Sequence, residues 1–316
     1  MAVATGFGYA TGMLHSRAIS GPVRAALPLM AFAGVVLLIA GNIVAIRFSN
    51  RELAPLWGAG TRFLVAAFLF HALMRLRRVP FPRGRSLMAA MLYGVTGIAA
   101  YFALVYWGLV EVSAAYGQML LSLVPLITFF LAFAQGLERF HWRGVAGAII
   151  TVAGIAVIFH QQAGQFIPGL SLLALVGAAA CAAQAGIILK LHPPEDLVAA
   201  NAVAMTLGAT ALIVLSLLTG ETPAWPRLTE TWAAFAFLST IGTIGTFLLV
   251  MYVLRHWSAS AASYQFVLAP VVALGLAAIL LDERVGADFY IGGALVLSGV
   301  YLGAILPARD DGGARR

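Results

Sequence analysis

Polar residues are scarce along this chain, and they cluster. Apolar runs of about twenty residues follow one another, separated by short stretches that hold most of the arginines, prolines and acids. A hydrocarbon layer of about 30 Å takes about 20 apolar residues as a helix. Ten runs approach or exceed that length: 27–46, 53–74, 87–110, 113–135, 142–160, 169–191, 197–218, 232–254, 258–281 and 289–306. A transmembrane β-barrel shows shorter segments of alternating polarity. The pattern therefore predicts an all-α membrane protein with ten transmembrane helices. Short connections make successive helices antiparallel, and residues 1–26 and 307–316 are left as tails.

The pattern also repeats. Shifted by 145 residues, Gly97 falls on Gly242, Pro125 on Pro270, Gly147 on Gly292 and Gly154 on Gly299. Glu138 and Arg139 fall on Glu283 and Arg284, and Ser113 and Ala114 on Ser258 and Ala259. The two copies, 27–160 and 169–306, hold five spans each. Five is odd, so the second copy enters the membrane from the opposite side. An inverted repeat of this kind lets a transporter exchange two conformations around a site near the midplane.

Composition narrows the reading further. Hydrophobic types make up 62% of the 316 residues and charged types 10%, against roughly 25% charged in an ordinary soluble domain. A soluble globule could not bury that much apolar surface, so the solvent must be lipid. The lone cysteine, Cys181, permits no intrachain disulfide or CxxC metal site, and it sits in a run of alanines that suits packing. The net charge of +7 implies no nucleic-acid partner here, because the basic residues follow the loops. With the N-terminus inside, fourteen arginines and lysines fall on the inner side. Only Arg47, Arg51, Arg227 and Arg284 fall outside. That bias predicts two cytoplasmic termini.

The ordered residues resemble a known family. Asn42 to Ile46, Pro55, Arg62 to Ala67, Ser113 to Ala115, Leu123 to Leu126, Leu137 to Arg139, Gly147 and Gly154 carry the resemblance in the first half. Ser260 to Ala262, Ala269 to Val272, Asp282 to Arg284, Gly292 and Gly299 carry it in the second. Together they are similar to the EamA-type branch of the drug/metabolite transporter superfamily. That branch often has a tryptophan beside the glycine of each half's first helix. Here those places hold Ala40 and the small residues around Cys181. The resemblance implies a ten-helix metabolite exporter or permease.

Candidate chemistry is sparse. Metalloprotease, nucleophile-elbow, phosphate-loop and dinucleotide motifs are absent, and the six histidines are scattered at span ends or in the tail. No cofactor is expected. Arg62 is the costliest residue. It lies nine residues into the second span, roughly 13 Å deep at 1.5 Å per residue. A charge there costs at least about 2.5–3.5 kcal/mol unless it faces a polar cavity. It is read either as an anchor for a substrate carboxylate or as a structural arginine. Its repeat counterpart, Leu207, is apolar.

Polar side chains recur at matching places. Gln118, Ser122 and Pro125 share one helix face, as do Ser263 and Pro270. Tyr101 and Thr246 are repeat equivalents, and Asn42 and Gln184 fall on equivalent faces of the first and sixth spans. Asn42, Arg62, Tyr101, Gln118, Ser122, Gln184, Thr246 and Ser263 thus form the candidate lining of a cavity between the repeats. Each taken singly is also explained by an interhelical hydrogen bond. Pro125 and Pro270 are read as mid-helix bends or hinges. Glu138 and Glu283 are read as helix-linking residues, and Tyr93, Tyr106, Trp107, Tyr252 and Trp257 as interfacial anchors. None of the twelve acids lies near mid-span, so no buried carboxylate is expected to carry a proton.

The expected function is inner-membrane transport of a small polar or amphipathic metabolite, such as an amino acid, by alternating access. The alternative is a membrane-embedded enzyme or scaffold acting on lipid-linked precursors. Such an enzyme calls for clustered acids or histidines on one face.

Overall fold

Apolar side chains all round a segment leave the backbone to satisfy itself, and an α-helix does so within one segment. The computed structural model describes residues 21–109, 117, 120–158, 160, 169–281 and 287–305, and among these there is no strand. The first half contributes α1 (Gly21–Ser49), α2 (Pro55–Leu76), α3 (Gly84–Tyr93) with α4 (Tyr101–Gly108), α5 (Val124–Ala134) and α6 (Trp142–Ile158). The second contributes α7 (Gly169–Leu191), α8 (Leu197–Leu218), α9 (Thr229–Phe237) with α10 (Thr246–His256), α11 (Ala259–Ser263) with α12 (Gln265–Leu281), and α13 (Ala287–Val300), which ends in a short π-helical turn (Tyr301–Ile305).

Six helices among the described residues are long and apolar enough to cross a membrane, and four shorter apolar helices accompany them. Two of the expected spans are interrupted. The fourth span was expected to run unbroken over 113–135. Instead Leu120 and Leu121 are helical, Ser122 and Leu123 turn, and α5 starts at Val124. The ninth breaks at Tyr264, between α11 and α12.

The third and eighth spans deviate in the same way as each other. α3 passes into α4 through a π-helical segment, π1 (Gly94–Ala100), and α9 passes into α10 through π2 (Leu238–Gly245). The 145-residue offset carries π1 onto the last seven residues of π2. Wide turns of this kind persist only where neighbouring structure holds them. Here the neighbours are exchanged by the repeat. π1 packs on α7 and α8 of the second half, and π2 packs on α1 and α2 of the first.

The same exchange organises the whole bundle. α1 packs on α10 and α12, while α7 packs on α4 and α5. α2 pairs with α8, and α6 with α13. Glycine sets the last crossing. A Cβ on Gly147 would lie 2.7 Å from the carbonyl oxygen of Gly299, and one on Gly154 would lie 2.7 Å from that of Gly292. Because 147 matches 292 and 154 matches 299, the contact is antiparallel and symmetric, and only glycine permits it. The core runs along the α2–α8 seam, where Phe63, Phe70, Met205 and Leu212 are essentially inaccessible.

Candidate functional site

A cavity of about 760 Å³ lies between the halves. Its walls obey the repeat. Tyr101 and Thr246, Phe102 and Phe247, Val105 and Val250, and Leu109 and Leu254 all face it, and each pair is separated by the 145-residue offset. π1 and π2 end immediately before these walls, so they set the register at which α4 and α10 present their side chains. Two exposed lining residues, Asn50 and Pro55, mark one end. At the other end Leu189, Leu254, Ala259 and Ala262 are buried.

Polar contacts brace both ends. Near Asn50 and Pro55, the Glu221 carboxylate accepts hydrogen bonds from the backbone amides of Leu56 (3.1 Å) and Trp57 (2.8 Å) and from the Ser216 hydroxyl (2.7 Å). Trp57 Nε1 donates to the carbonyl of Ala224 at 2.7 Å. Glu52 accepts from the amides of Arg227 and Leu228, whose hydrogen bonds, that of Leu228 foremost, hold its carboxyl below the usual carboxylate range. At the buried end, Glu138 accepts from the amide of Ser260 at 3.0 Å, and Arg255 donates to the carbonyl of Pro194. Glu138 thus links helices, as its sequence position suggested. Its counterpart Glu283 lies outside the described residues.

Arg62 reaches the cavity from α2 and is 4% exposed. Its guanidinium carbon lies 4.5 Å from the ring centroid of Phe63 and 5.5 Å from that of Phe102. Such aromatic contacts attract a cation but occupy none of its N–H donors. Nε and Nη1 are buried and have no hydrogen-bond partner among the described residues. Buried donors without acceptors are costly. The arrangement can receive an anion, and among the described residues no carboxylate lines the cavity to neutralise it.

The other sequence candidates divide. Asn42, Tyr101, Thr246 and Ser263 line the cavity with Arg62. Asn42 Nδ2 donates to the carbonyl of Gly242 at 2.9 Å and to Thr246 Oγ1 at 3.5 Å, and the Ser263 hydroxyl donates to the Ser260 carbonyl at 2.6 Å. Ser122 is 1% exposed and is not on the cavity wall. Gln184 also lies off the wall, and its amide exchanges hydrogen bonds with Gln135 at 2.9 and 3.4 Å. Gln118 lies outside the described residues.

The prolines part as well. Pro270 is inside α12 and lines the cavity, as a mid-helix proline should. Pro125 is not mid-helix. The break at Ser122–Leu123 puts it in the first turn of α5, where a missing N–H costs nothing.

Sequence reasoning missed two tyrosines. Tyr93 and Tyr106, read as interfacial anchors, both line the cavity, whereas Trp107 is exposed. Tyr93, Gly97 and Tyr101 are spaced by four, a signal that could have found the first. Tyr106 could not be found that way, because it lies five residues after Tyr101 in α4, off that spacing.

Residues 26–160 and 169–304 each match the sequence profile of the EamA-like transporter family. The chain belongs to that family. The protein is a multi-pass membrane transporter built on two EamA repeats. An Archaeoglobus fulgidus protein named an uncharacterized transporter is 27% identical over 82% of this chain and 91% of its own length. An Escherichia coli protein named a probable amino-acid metabolite efflux pump is 26% identical over 85% and 91%. A Streptantibioticus cattleyicolor protein named a probable terminal-alkyne amino-acid exporter is 38% identical over 24% of this chain and 26% of its own. A solved crystal structure superposes with a TM-score of 0.75, covering 89% of this chain and 97% of that one at 18% identity. At that identity the likeness is one of fold alone.

Proposed function

We propose that this EamA protein exports a small carboxylate-bearing metabolite of the amino-acid type across the inner membrane by alternating access. Ten helices cross the bilayer in two inverted five-helix halves, 27–160 and 169–306, and both chain ends are cytoplasmic tails. The observation that carries the reading is Arg62, a buried cation whose Nε and Nη1 lack acceptors beside a cavity shared by both repeats. Its guanidinium pairs with the substrate carboxylate. Tyr101, Thr246 and Ser263 line the remainder of the site, and Tyr93 and Tyr106 join them. The names of the Escherichia coli and Streptantibioticus relatives support an amino-acid-type cargo. The loop charge bias supports the orientation, which turns the Asn50 end of the cavity outward.

The substrate gradient supplies the driving force, by facilitated diffusion or exchange, since arginine keeps its proton at any physiological pH. The test is counterflow in proteoliposomes loaded with a panel of amino acids and their derivatives, repeated with Arg62→Leu. Saturable exchange that is lost in folded, inserted Arg62→Leu supports the proposal, and normal exchange by that variant defeats the anchor. Uphill accumulation driven by a pH gradient alone, at fixed membrane potential, overturns the energetic reading.

A further inference from the structure

We infer that Asn42 is a positioning residue: its side-chain amide pins π2 to α1, and this holds Thr246 and Phe247 on the cavity wall. The inference rests on the reading of the cavity as the transport site, and it moves Asn42 from the substrate-contacting set to the scaffold.

A π segment is a wide turn that its neighbours must sustain, and a change from π to α rotates everything beyond it. In π2 the sustaining contact is specific. Asn42 Nδ2 donates to the carbonyl of Gly242, inside the segment, at 2.9 Å. It also donates to Thr246 Oγ1, at the first residue of α10, at 3.5 Å. One amide thus spans the point where π2 gives way to α10. The fit is close on the other side too. A Cβ on Gly242 would lie 2.2 Å from Asn42 Oδ1, so glycine is what lets the amide reach the backbone. Asn42 is 8% exposed, which shields these bonds from competing water.

Immediately after Thr246 the chain forms the cavity wall. Phe247 faces the cavity and meets the edge of Phe63 at a centroid separation of 6.1 Å and 86°. Phe63 in turn lies under the Arg62 guanidinium. The register of α10 is therefore transmitted to the floor on which the cation rests.

The other half provides the internal control. Gly97, the repeat counterpart of Gly242, faces the methyl group of Ala185, 2.8 Å from where its own Cβ would be. A methyl group occupies the space but donates nothing. Among the described residues π1 is held at this point by packing alone, and π2 by packing with a directed hydrogen bond.

Two measurements test this, and neither needs the substrate. The first is amide hydrogen exchange of the full chain in lipid nanodiscs. Amides of 239–247 should exchange at least about tenfold slower than those of 94–102, because opening π2 must also break the Asn42 bonds. Equal protection of the two segments overturns the inference. The second uses Cys181→Ser protein with a single reporter, Val250→Cys in one preparation and Val105→Cys in another, labelled by a water-soluble maleimide. Adding Asn42→Leu, which keeps the volume and removes the donor, should slow labelling at the 250 reporter by about fivefold or more and leave the 105 reporter within about twofold. Unchanged labelling at both, or an equal fall at both, overturns it. If Asn42→Leu does not fold, the exchange comparison decides alone. Normal exchange by Arg62→Leu with intact π2 protection would defeat the proposed function and leave this inference standing.

Discussion

The two halves of this transporter offer the cavity the same positions and different chemistry. Tyr101 in the first half corresponds to Thr246 in the second, and Phe102 to Phe247, and all four line the cavity. Where the first half carries Arg62, the second carries Leu207, and where the first carries Tyr106, the second carries Met251, buried and accepting from Asn201. Backbone geometry is shared, down to the paired π segments that precede each wall. Charge is not shared, and a second buried charge would add cost without a partner.

Helix ends show a second contrast. Asp196 caps α8 locally, accepting from the amides of Val198 (2.8 Å) and Ala199 (2.9 Å). The N-terminus of α2 has no local side-chain cap. Glu221, 165 positions away, accepts from Leu56 and Trp57 instead. One end is thus fixed by its own sequence, and its counterpart is fixed by a loop of the other half.

Exchanging the chemistry between halves should give the largest effects. Arg62→Leu should lower counterflow by about 100-fold, the scale of one lost charged hydrogen bond, while the protein remains inserted and monodisperse. Leu207→Arg should instead destabilise by about 2.5–3.5 kcal/mol, read as a fall in thermal midpoint in detergent, because no partner awaits it. If Leu207→Arg rescued Arg62→Leu, the halves would be interchangeable and the contrast would be broken.

Next in size is the pair of caps. Glu221→Ala removes an acceptor for three donors joining α2 to the α8–α9 connection, and should cost about 2–3 kcal/mol. Asp196→Ala removes a local cap and should cost about 1 kcal/mol. Thermal unfolding of the two variants side by side checks the order, and equal losses would remove the distinction between a local and a tertiary cap.

The prolines should differ more modestly. Pro270→Ala restores a helical donor at the cavity and should change the exchange rate several-fold, roughly 1 kcal/mol of barrier. Pro125→Ala, in the first turn of α5, should leave the rate within about twofold. Equal effects would restore a shared hinge.

The smallest effect belongs to Glu52. Its pKa is depressed in the folded chain, so its stabilising contribution is complete above the ordinary carboxylate range and disappears as pH falls through the lowered folded value. Glu52→Gln should therefore lower the thermal midpoint slightly at pH 7 and match the parent chain in strongly acidic buffer. A difference that grew on acidification would reverse the sign.

The sequence by itself determined what depends on counting and on cost. Runs of apolar residues fixed the helical class, since lipid leaves the backbone no other partner. The repeat at 145 residues fixed the two-part plan, and Arg62 stood out because a charge at that depth needs a reason. Ser263 and Thr246 were reachable through symmetry and helical spacing. Only the tertiary structure decided what depends on neighbours. Helical spacing assumes an unbroken α-helix, and this chain breaks that assumption at Ser122–Leu123, at Tyr264 and in its π-helical segments. Pro125 consequently becomes a helix start. Gln184 illustrates the other limit. Its sequence position matched Asn42, but whether an amide meets a cavity or a second amide depends on what folds beside it, and there the fourth span supplies Gln135.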